Sequence, residues 1–257
     1  MAGVPPGGRD APAGMPYASL APYFARLFEP SGIRGWFERA RGLVAAAGVR
    51  GGWHLDVGAG TCRYSRYWTR AGFRTVCVDL LIEMLVRARL AGTQGRLRRV
   101  CGTIDCLRPN GAFDLATAVD DVVGYVGAQP GGLEGFLECL ALRTRRGGLF
   151  LFDFITPAGR GRYTFRNSRQ VGAARITADS RGRFDEAQRL LSVELTLTAP
   201  DHVAHEHHVL RLYTPEEMAR LLRQAGFEVL AMTDLYDGDG VGYRAGRPSY
   251  DVLARRL

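Results

Sequence analysis

The sequence contains no lysine, so its 34 basic side chains are all arginines. Together with 26 acidic residues they give a formal net charge of +8. Such a surplus is compatible with a nucleic-acid partner or an anionic substrate. The arginines are scattered singly or in short pairs, however, without the dense run that is typical of a nucleic-acid-binding segment. A compositional bias explains the charge better, and no nucleic-acid partner is predicted.

Long apolar runs and paired cysteines are also missing. No stretch approaches the roughly 20 residues that a membrane helix needs, so no membrane contact is predicted. Residues 1–15 are rich in Pro, Gly and Ala and lack the apolar core of a signal peptide, and we expect a disordered tail there. The five cysteines form no C-x-x-C pair, which disfavours a disulfide framework or a zinc site. A reducing cytoplasm is the expected compartment.

What the sequence does contain is a regular alternation of short apolar strands with helices. Residues 21–47 have helical periodicity. Strands are predicted at 53–57, 74–79, 96–101, 113–119 and 149–155, with helices at 63–71, 82–90 and 133–144. Strands that alternate with helices at this spacing predict a parallel sheet covered by helices on both faces.

The alternation with helices ends after Pro157. Residues 189–199 and 202–213 instead alternate apolar with polar side chains, the pattern of antiparallel strands with one solvent-facing side. Thr214 and Pro215 then begin a helix, because they supply an N-cap and a first-turn proline. A strand follows from Phe227, and residues 249–257 are predicted as a final edge strand.

A glycine-rich turn directly after the first strand is the most informative motif. Gly58 and Gly60 let the backbone turn at the carboxyl end of that strand, where open α/β sheets bind ligands. A dinucleotide fingerprint would place its last glycine at position 63, where Arg63 stands, so NAD and FAD are disfavoured. Asp79 ends the second strand, where a carboxylate can accept hydrogen bonds from a ribose. The turn and the acid together fit S-adenosyl-L-methionine.

With these residues the chain resembles the class I (Rossmann-like) S-adenosylmethionine-dependent methyltransferases. The motifs that carry the resemblance are LDVGAGT (55–61), FDLA (113–116), RRGGLFLFD (145–153), YTPEE (213–217) and AGFEV (225–229). Within that family it is most similar to small-molecule enzymes, especially the amino-sugar N,N-dimethyltransferases of antibiotic pathways. The resemblance implies a methyl transfer to a small-molecule acceptor, at nitrogen, in secondary metabolism.

The resemblance also implies a fold and a division of the chain. The fold is α/β, a Rossmann-like sheet of seven mostly parallel strands with helices on both faces and an antiparallel insertion after strand five. The predicted regions are the tail (1–15), an N-terminal helical lid (16–50), the cofactor-binding domain (51–158 and 214–257) and the insertion (159–213). The insertion is expected to form part of the acceptor pocket, and a homodimer through its strands is implied by the resemblance alone.

Carried over by motif, several residues are expected to bind the cofactor. Those expected at the methionine part, with the strand residue before the loop, are Asp56, Gly58, Ala59 and Gly60. Asp79 is expected at the ribose. Those expected around the adenine are Leu80, Thr103, Ile104 and Val119, and those expected in the lid are Tyr23, Phe28 and Trp36. Two positions depart from the family pattern: Cys62 replaces the third glycine, and Thr103 replaces the acid that often contacts the adenine, unless Asp105 serves.

The candidate catalytic residues are His208, Tyr125 and Asp120. If residues 205–208 form a strand, His205 and His207 lie on one face of it. Glu206 and His208 then lie on the other face. An acceptor amine or hydroxyl must lose a proton, and the resemblance makes His208 the candidate base, because it aligns best with a histidine of the sugar methyltransferases; a solvent-facing strand is the competing interpretation. Tyr125 would shield the methyl group and Asp120 would hold the acceptor.

Other functions stay open on the sequence alone. Metal ligation by the acids at 120–121, or by the histidines, is disfavoured because no further ligand is identifiable. A nucleic-acid methyltransferase lacks support, since neither an Asn-Pro-Pro-Tyr motif nor a Pro-Cys pair is found. O- or C-methylation, and a cofactor-binding protein without catalysis, remain alternatives.

Overall fold

The structure is a computed structural model that describes residues 15–28, 32–172, 174–233 and 248–257. Its helices are α1 (Phe24–Leu27), α2 (Ile33–Ala46), α3 (Ser65–Arg70), α4 (Ile82–Leu85), α5 (Val122–Gly127), α6 (Gly132–Arg143) and α7 (Pro215–Gln224). Its strands are β1 (Trp53–Val57), β2 (Arg74–Asp79), β3 (Leu97–Cys101), β4 (Phe113–Ala118), β5 (Thr144–Ile155), β6 (Phe165–Val171), β7 (Ala174–Asp185), β8 (Leu190–Thr198), β9 (Val203–Arg211), β10 (Phe227–Thr233) and β11 (Ser249–Arg256). Most of the predicted tail lies outside the described residues.

Seven strands form the main sheet in the order β10-β11-β5-β4-β1-β2-β3. Strands β1 to β5 run parallel to one another, whereas β11 runs antiparallel to both β5 and β10. The order reverses between β1 and β4, and in open α/β sheets ligands bind at this switch point, beyond the carboxyl ends of the strands. The predicted fold class is confirmed, because the strands and helices alternate as the sequence indicated.

Both faces of the main sheet are covered by apolar layers. One layer joins the sheet to α6 and α7 and contains Phe150, Leu137 and Met218, all fully buried. The other joins it to α2 and α3 and contains Trp36 and Trp68, which are also fully buried. Burial on both faces explains the unbroken apolar run at residues 149–152 of β5.

The insertion forms a second, four-stranded antiparallel sheet, β6-β7-β8-β9. The alternation predicted for β8 is confirmed, since Leu191, Val193, Leu195 and Leu197 are buried and the intervening residues are not. Strands β6 and β7 were not predicted. On the inner face of β7 the small residues Ala178, Ser180 and Gly182 stand between Ile176 and Phe184, so the apolar alternation is weak in the sequence.

Two further differences concern the helices. The helical stretch predicted at 21–47 is two helices, α1 and α2, with residues 29–31 between them outside the described part. Helix α5 was not predicted, because its six residues are too short for a helical period to be read from the sequence. Among the described residues, no helix has the length and apolarity to cross a membrane.

Candidate functional site

The loop after β1 turns through left-handed backbone conformations. Gly58 and Gly60 have φ values of 65° and 53°. A Cβ on Gly58 would come within 2.5 Å of Val122 at the start of α5, so this position requires glycine for packing as well as for conformation. Cys62, at the third glycine position of the family, also has a positive φ of 57° and is buried against Cys77 and Leu85. The departure from glycine is accommodated by this small apolar contact.

Asp79 joins the end of β2 to that loop. One carboxylate oxygen accepts the Gly60 N–H at 2.7 Å, and the other accepts the Leu81 N–H at 2.8 Å. Burial raises the pKa of Asp79, while the two backbone hydrogen bonds oppose that shift. The side chain is half-buried, and each oxygen has further lone pairs with which a pair of ribose hydroxyls can bond. The loop and the acid therefore fit a nucleoside cofactor.

The residues expected around the adenine differ in exposure. Leu80 is 55% exposed and Thr103 is also exposed, and both follow strands that end at this edge of the sheet. Ile104 and Val119 are buried, so their predicted role is limited to apolar contacts beneath an adenine. Asp105 accepts a hydrogen bond from the Cys139 thiol of α6 at 2.9 Å, and it is thereby directed toward that helix. The adenine contacts stay predictions.

Asp56, the strand residue before the loop, is buried and hydrogen-bonded within the protein. Its carboxylate is 3% exposed and accepts hydrogen bonds from Ser65 of α3 and from Thr117 of β4, the latter at 2.6 Å. Burial raises its pKa to about 6, and the two hydroxyl bonds moderate that rise. Thr117 also bonds the buried ring of His54 at 2.8 Å. Asp56 therefore braces α3 and β4 beneath the loop, and its predicted cofactor contact stays a prediction.

Two of the three residues expected in the lid are packed against the two sheets. Trp36 is fully buried, and its indole N–H donates to Asp251 at 2.8 Å, because α2 packs this face against the sheet. Tyr23 packs against the second sheet, and its hydroxyl lies 3.4 Å from Asp201 in the turn before β9. The Trp36 ring also packs edge-to-face on Tyr64, which follows the loop after β1, with 5.0 Å between the ring centroids, and the lid roles of Trp36 and Tyr23 stay predictions. Phe28 contacts Phe165 of β6 and Phe24.

Tyr17, an aromatic residue of the N-terminal segment that was not predicted as a site residue, lies beside the end of β2. Its ring belongs to a cluster with Leu81 and Met84, directly after Asp79. Its hydroxyl lies 2.8 Å from the hydroxyl of Tyr125 on α5. Burial raises the pKa of Tyr17, so the phenol stays protonated. Tyr17 therefore connects the cofactor edge with the region above α5, and no periodicity in its Pro- and Ala-rich surroundings marks it in the sequence.

Asp120 follows β4 in a left-handed conformation, with φ of 72°. Its carboxylate forms an ion pair with Arg63 and accepts the hydroxyl of Tyr64 at 2.9 Å. Its backbone N–H donates to Asp153 of β5 at 2.8 Å. The Arg63 guanidinium also lies 5.0 Å from the Phe24 ring. Asp120 is thus a half-exposed, charge-paired carboxylate beside the loop, and its acceptor-binding role stays a prediction.

Its neighbour Asp121 is the less solvated acid. Burial raises the pKa of Asp121 to about 6, although Arg162 and a 2.8 Å hydrogen bond from the Tyr163 hydroxyl oppose the rise. The backbone N–H of Asp121 donates to Asp153 at 3.3 Å. Burial and the neighbouring acids together raise the pKa of Asp153 well above its usual range. A proton is therefore retained readily among these acids.

The expected strand alternation of the histidine cluster is confirmed. His205 and His207 are exposed, whereas His208 is 1% exposed and faces inward. The Nδ1 atom of His208 lies 2.8 Å from the Tyr125 hydroxyl, and its Nε2 atom lies 2.8 Å from Glu206. The structure thus joins His208 and Tyr125, both predicted catalytic residues, with Tyr17 in one hydrogen-bonded series.

Sequence reasoning missed the buried partner in this series. Glu206 was noted only as the neighbour that shares a strand face with His208. The spacing of two residues on one strand is the signal that could have identified the pair. Nothing in the sequence indicates that the same carboxylate contacts the N-terminal segment.

Comparisons with known proteins identify the fold and the family. The family model described as "Methyltransferase domain" matches residues 27–232. Among solved structures, an S-adenosylmethionine-dependent methyltransferase from Clostridium acetobutylicum has a TM-score of 0.76 at 19% identity, covering 93% of this chain and 98% of that one. The sugar N-methyltransferase KedS8 from Streptoalloteichus has a TM-score of 0.69 at 18% identity, covering 100% and 99%. The amino pentose methyltransferase CalS10 from Micromonospora echinaspora has 0.66 at 19%, covering 93% and 96%. No curated protein matches the chain.

Proposed function

The chain belongs to the methyltransferase-domain family and is an S-adenosylmethionine-dependent methyltransferase, and on this premise we propose that it methylates an amine nitrogen of a small molecule in secondary metabolism. The observation that supports this most directly is the series from Tyr17 through Tyr125 to His208. It begins beside the ribose-binding edge at Leu81 and ends at a buried imidazole. An acceptor placed along it would lie between the methyl donor and a proton acceptor.

The cofactor supplies an activated methyl group on a sulfonium, so the protein needs little covalent chemistry of its own. Asp79 and the loop at Gly58 and Gly60 would hold it. Aromatic side chains suit the acceptor side, because their faces tolerate a cation and exclude water. Positioning the nitrogen in line with the methyl group supplies much of the acceleration.

The series also provides a route for the proton. As the nitrogen–carbon bond forms and the carbon–sulfur bond breaks, the nitrogen becomes cationic and then releases a proton. His208 can receive it through Tyr125, because its Nδ1 atom lies 2.8 Å from the Tyr125 oxygen while its Nε2 atom faces Glu206. Burial raises the pKa of Tyr125 well above its usual range, so the phenol relays a proton and does not ionise at neutral pH.

The choice of nitrogen and of secondary metabolism rests on the resemblance to amino-sugar methyltransferases. The sugar N-methyltransferase KedS8 and the amino pentose methyltransferase CalS10 share the fold. A fold likeness of this degree is compatible with other acceptors, so the acceptor has to be tested. A nucleotide-linked amino sugar, an amino acid and a phenol represent the three classes to compare.

The test begins with calorimetric titration of S-adenosylmethionine, S-adenosylhomocysteine and NADH. Binding of the first two and not of NADH is expected, followed by methylation of the amino sugar and not of the phenol. His208→Asn should lower kcat by about 10²-fold or more without changing cofactor affinity. His207→Asn, on the opposite face of the same strand, is the matched control. Turnover of the phenol alone, or equal activity of both variants, would contradict the proposal.

A further inference from the structure

The carboxylate of Glu206 is the most heavily hydrogen-bonded acid of the second sheet, and it is 7% exposed. Its Oε1 atom accepts the N–H groups of Ser19 and Leu20, at 2.8 and 3.2 Å, and the Ser19 hydroxyl. Its Oε2 atom accepts the Tyr17 N–H at 2.7 Å and lies 2.8 Å from Nε2 of His208. Residues 17–20, here named the strap, are thus attached to β9 by one side chain.

This environment keeps Glu206 ionised. Burial alone would raise its pKa, but the hydrogen bonds from His208, Ser19 and Tyr17 outweigh burial and lower the pKa below its ordinary value. An ionised carboxylate only accepts hydrogen bonds. Each neighbour of Glu206 must therefore be a donor, and the ring nitrogen that faces it must carry a proton.

That requirement fixes the tautomer of a neutral His208. With the proton on Nε2, the lone pair is on Nδ1 and faces the Tyr125 hydroxyl. Tyr125 then donates to His208, and its oxygen is left to accept the Tyr17 hydroxyl, 2.8 Å away. The opposite tautomer would set a lone pair against the carboxylate and leave Nδ1 unable to accept a proton.

We infer that Glu206 is a positioning residue with two linked tasks: it holds neutral His208 in the Nε2–H tautomer, and it fastens the strap beside the acceptor side. The inference rests on the proposed function, because His208 is taken there as the proton acceptor. The Glu206 carboxylate contacts both the strap and the imidazole of His208. When the strap is in place, the base is oriented by the same contact.

The opposite face of the sheet supplies an internal comparison. Glu194 of β8 lies 3.7 Å from Nε2 of His207, with side chains that are 73% and 53% exposed. A solvated pair of this kind contributes little, because water screens the charges and satisfies both partners. Glu194→Gln is therefore the matched control for Glu206→Gln: the same change, beside a histidine, in the same sheet.

Glu206→Gln removes the charge of the carboxylate and keeps the shape of the side chain. Its amide oxygen can still accept from Ser19 and Leu20, but its NH₂ group must then face the Tyr17 N–H and the His208 ring. Two donors facing each other displace the strap at Tyr17, and the imidazole must present a lone pair on Nε2 instead. The ring proton of His208 then moves to Nδ1, where it prevents the Tyr125 hydroxyl from donating a hydrogen bond to that atom.

Two measurements that need neither methyl donor nor acceptor test this. Nitrogen-15 NMR of the imidazoles, with His208→Asn to identify the signal, should show the Nε2–H tautomer in the native protein and in Glu194→Gln, and the Nδ1–H tautomer in Glu206→Gln. Hydrogen exchange of residues 15–28 should be about tenfold faster in Glu206→Gln only. An unchanged tautomer or unchanged exchange in that variant would overturn the inference.

Glu206→Asp keeps the carboxylate and covers the case in which the glutamine variant does not fold. It should retain the Nε2–H tautomer with partly faster exchange, and an Nδ1–H tautomer in the native protein or in this variant would also overturn the inference. In folded Glu206→Gln, kcat should fall by about 10-fold or more while cofactor affinity is kept. Loss of cofactor binding in the native protein would instead count against the proposed function.

Discussion

Asp79 has a structural task besides its proposed contact with the ribose of the cofactor. Its two carboxylate oxygens hold the N–H groups of Gly60 and Leu81, on either side of the nucleoside edge. A ligand hydroxyl would add to these bonds and not replace them. A substitution here therefore acts on the loop and on the ligand together.

Asp79→Ala should weaken S-adenosylmethionine binding about 100-fold, because hydrogen bonds to a charged acceptor are lost while the loop loses its brace. Calorimetry measures the affinity. Asp114→Ala is the matched control, since Asp114 also accepts a backbone N–H, from Trp53 at 2.8 Å, but lies at the amino-terminal end of β4, away from the loop after β1. Unchanged affinity in Asp79→Ala, or an equal loss in the control, would show that the ribose contact is wrongly assigned.

Among elements, α7 shows how fully a local signal can specify a helix start. The Thr214 hydroxyl accepts the Glu217 N–H at 3.2 Å, and the Glu217 carboxylate accepts the Thr214 N–H at 2.9 Å. Pro215 occupies the first turn, and Met218 and Leu221 turn one face into the core. The sequence predicted this boundary because every group involved lies within a few residues.

Thr214→Ala should lower the free energy of unfolding by about 1–2 kcal/mol, because the capping hydroxyl is lost from a helix that packs on the sheet. Urea denaturation measures the change. Thr198→Ala, at an exposed position in β8, is the comparison and should change the stability by less than about 0.5 kcal/mol. Equal effects at the two positions would mean that the cap does not stabilise α7.

At the scale of the whole molecule, buried acids set a pH dependence of stability. Burial raises the pKa of both Asp56 and Asp121 to about 6, from an ordinary value of 3.8. Between these values the folded protein binds protons that the unfolded chain has released. Their contribution to stability is therefore full below pH 4 and is lost as the pH rises through 6.

Asp121→Asn removes one of these groups and keeps an oxygen for the Tyr163 hydroxyl. The change in unfolding free energy between pH 4.5 and pH 7 should become less negative by about 1–2 kcal/mol. Urea melts at the two pH values measure it, and Glu138→Gln, an exposed acid on α6, should leave the change as in the native protein. An unaltered pH dependence in Asp121→Asn would contradict the burial of an ionisable group there.

The structure also shows what several of the arginines do within the fold. Arg143 is 5% exposed and donates to the carbonyls of Leu107 and Cys139, and Arg63 joins the loop to Asp120. Arg189 pairs with Glu217 at 2.8 Å. Several arginines therefore serve as local connections within the fold, which composition and net charge do not distinguish from a binding surface.

The sequence by itself determined the strand–helix rhythm, the glycine turn, the acid after β2 and the inward face of His208. Each of these depends on neighbours in the chain, through periodicity or a turn that only glycine tolerates, so it can be read locally. It also indicated apolar alternation in β8 but not in β7, because three small residues separate Ile176 from Phe184 on the inner face of β7. The sequence indicated that the N-terminal segment contributes aromatic residues, but it did not indicate where each side chain points.

Only the tertiary structure decided those directions and the partners across the chain. Trp36 and Tyr17 are both aromatic residues of the N-terminal segment, yet the first completes the core and the second reaches the site. The Tyr17 N–H meets the Glu206 carboxylate across 189 positions of sequence, and Asp56 is enclosed by hydroxyls from two other elements. Such contacts follow from how the two sheets and the segment pack, because a hydrogen bond depends on distance in space and leaves no period in the sequence.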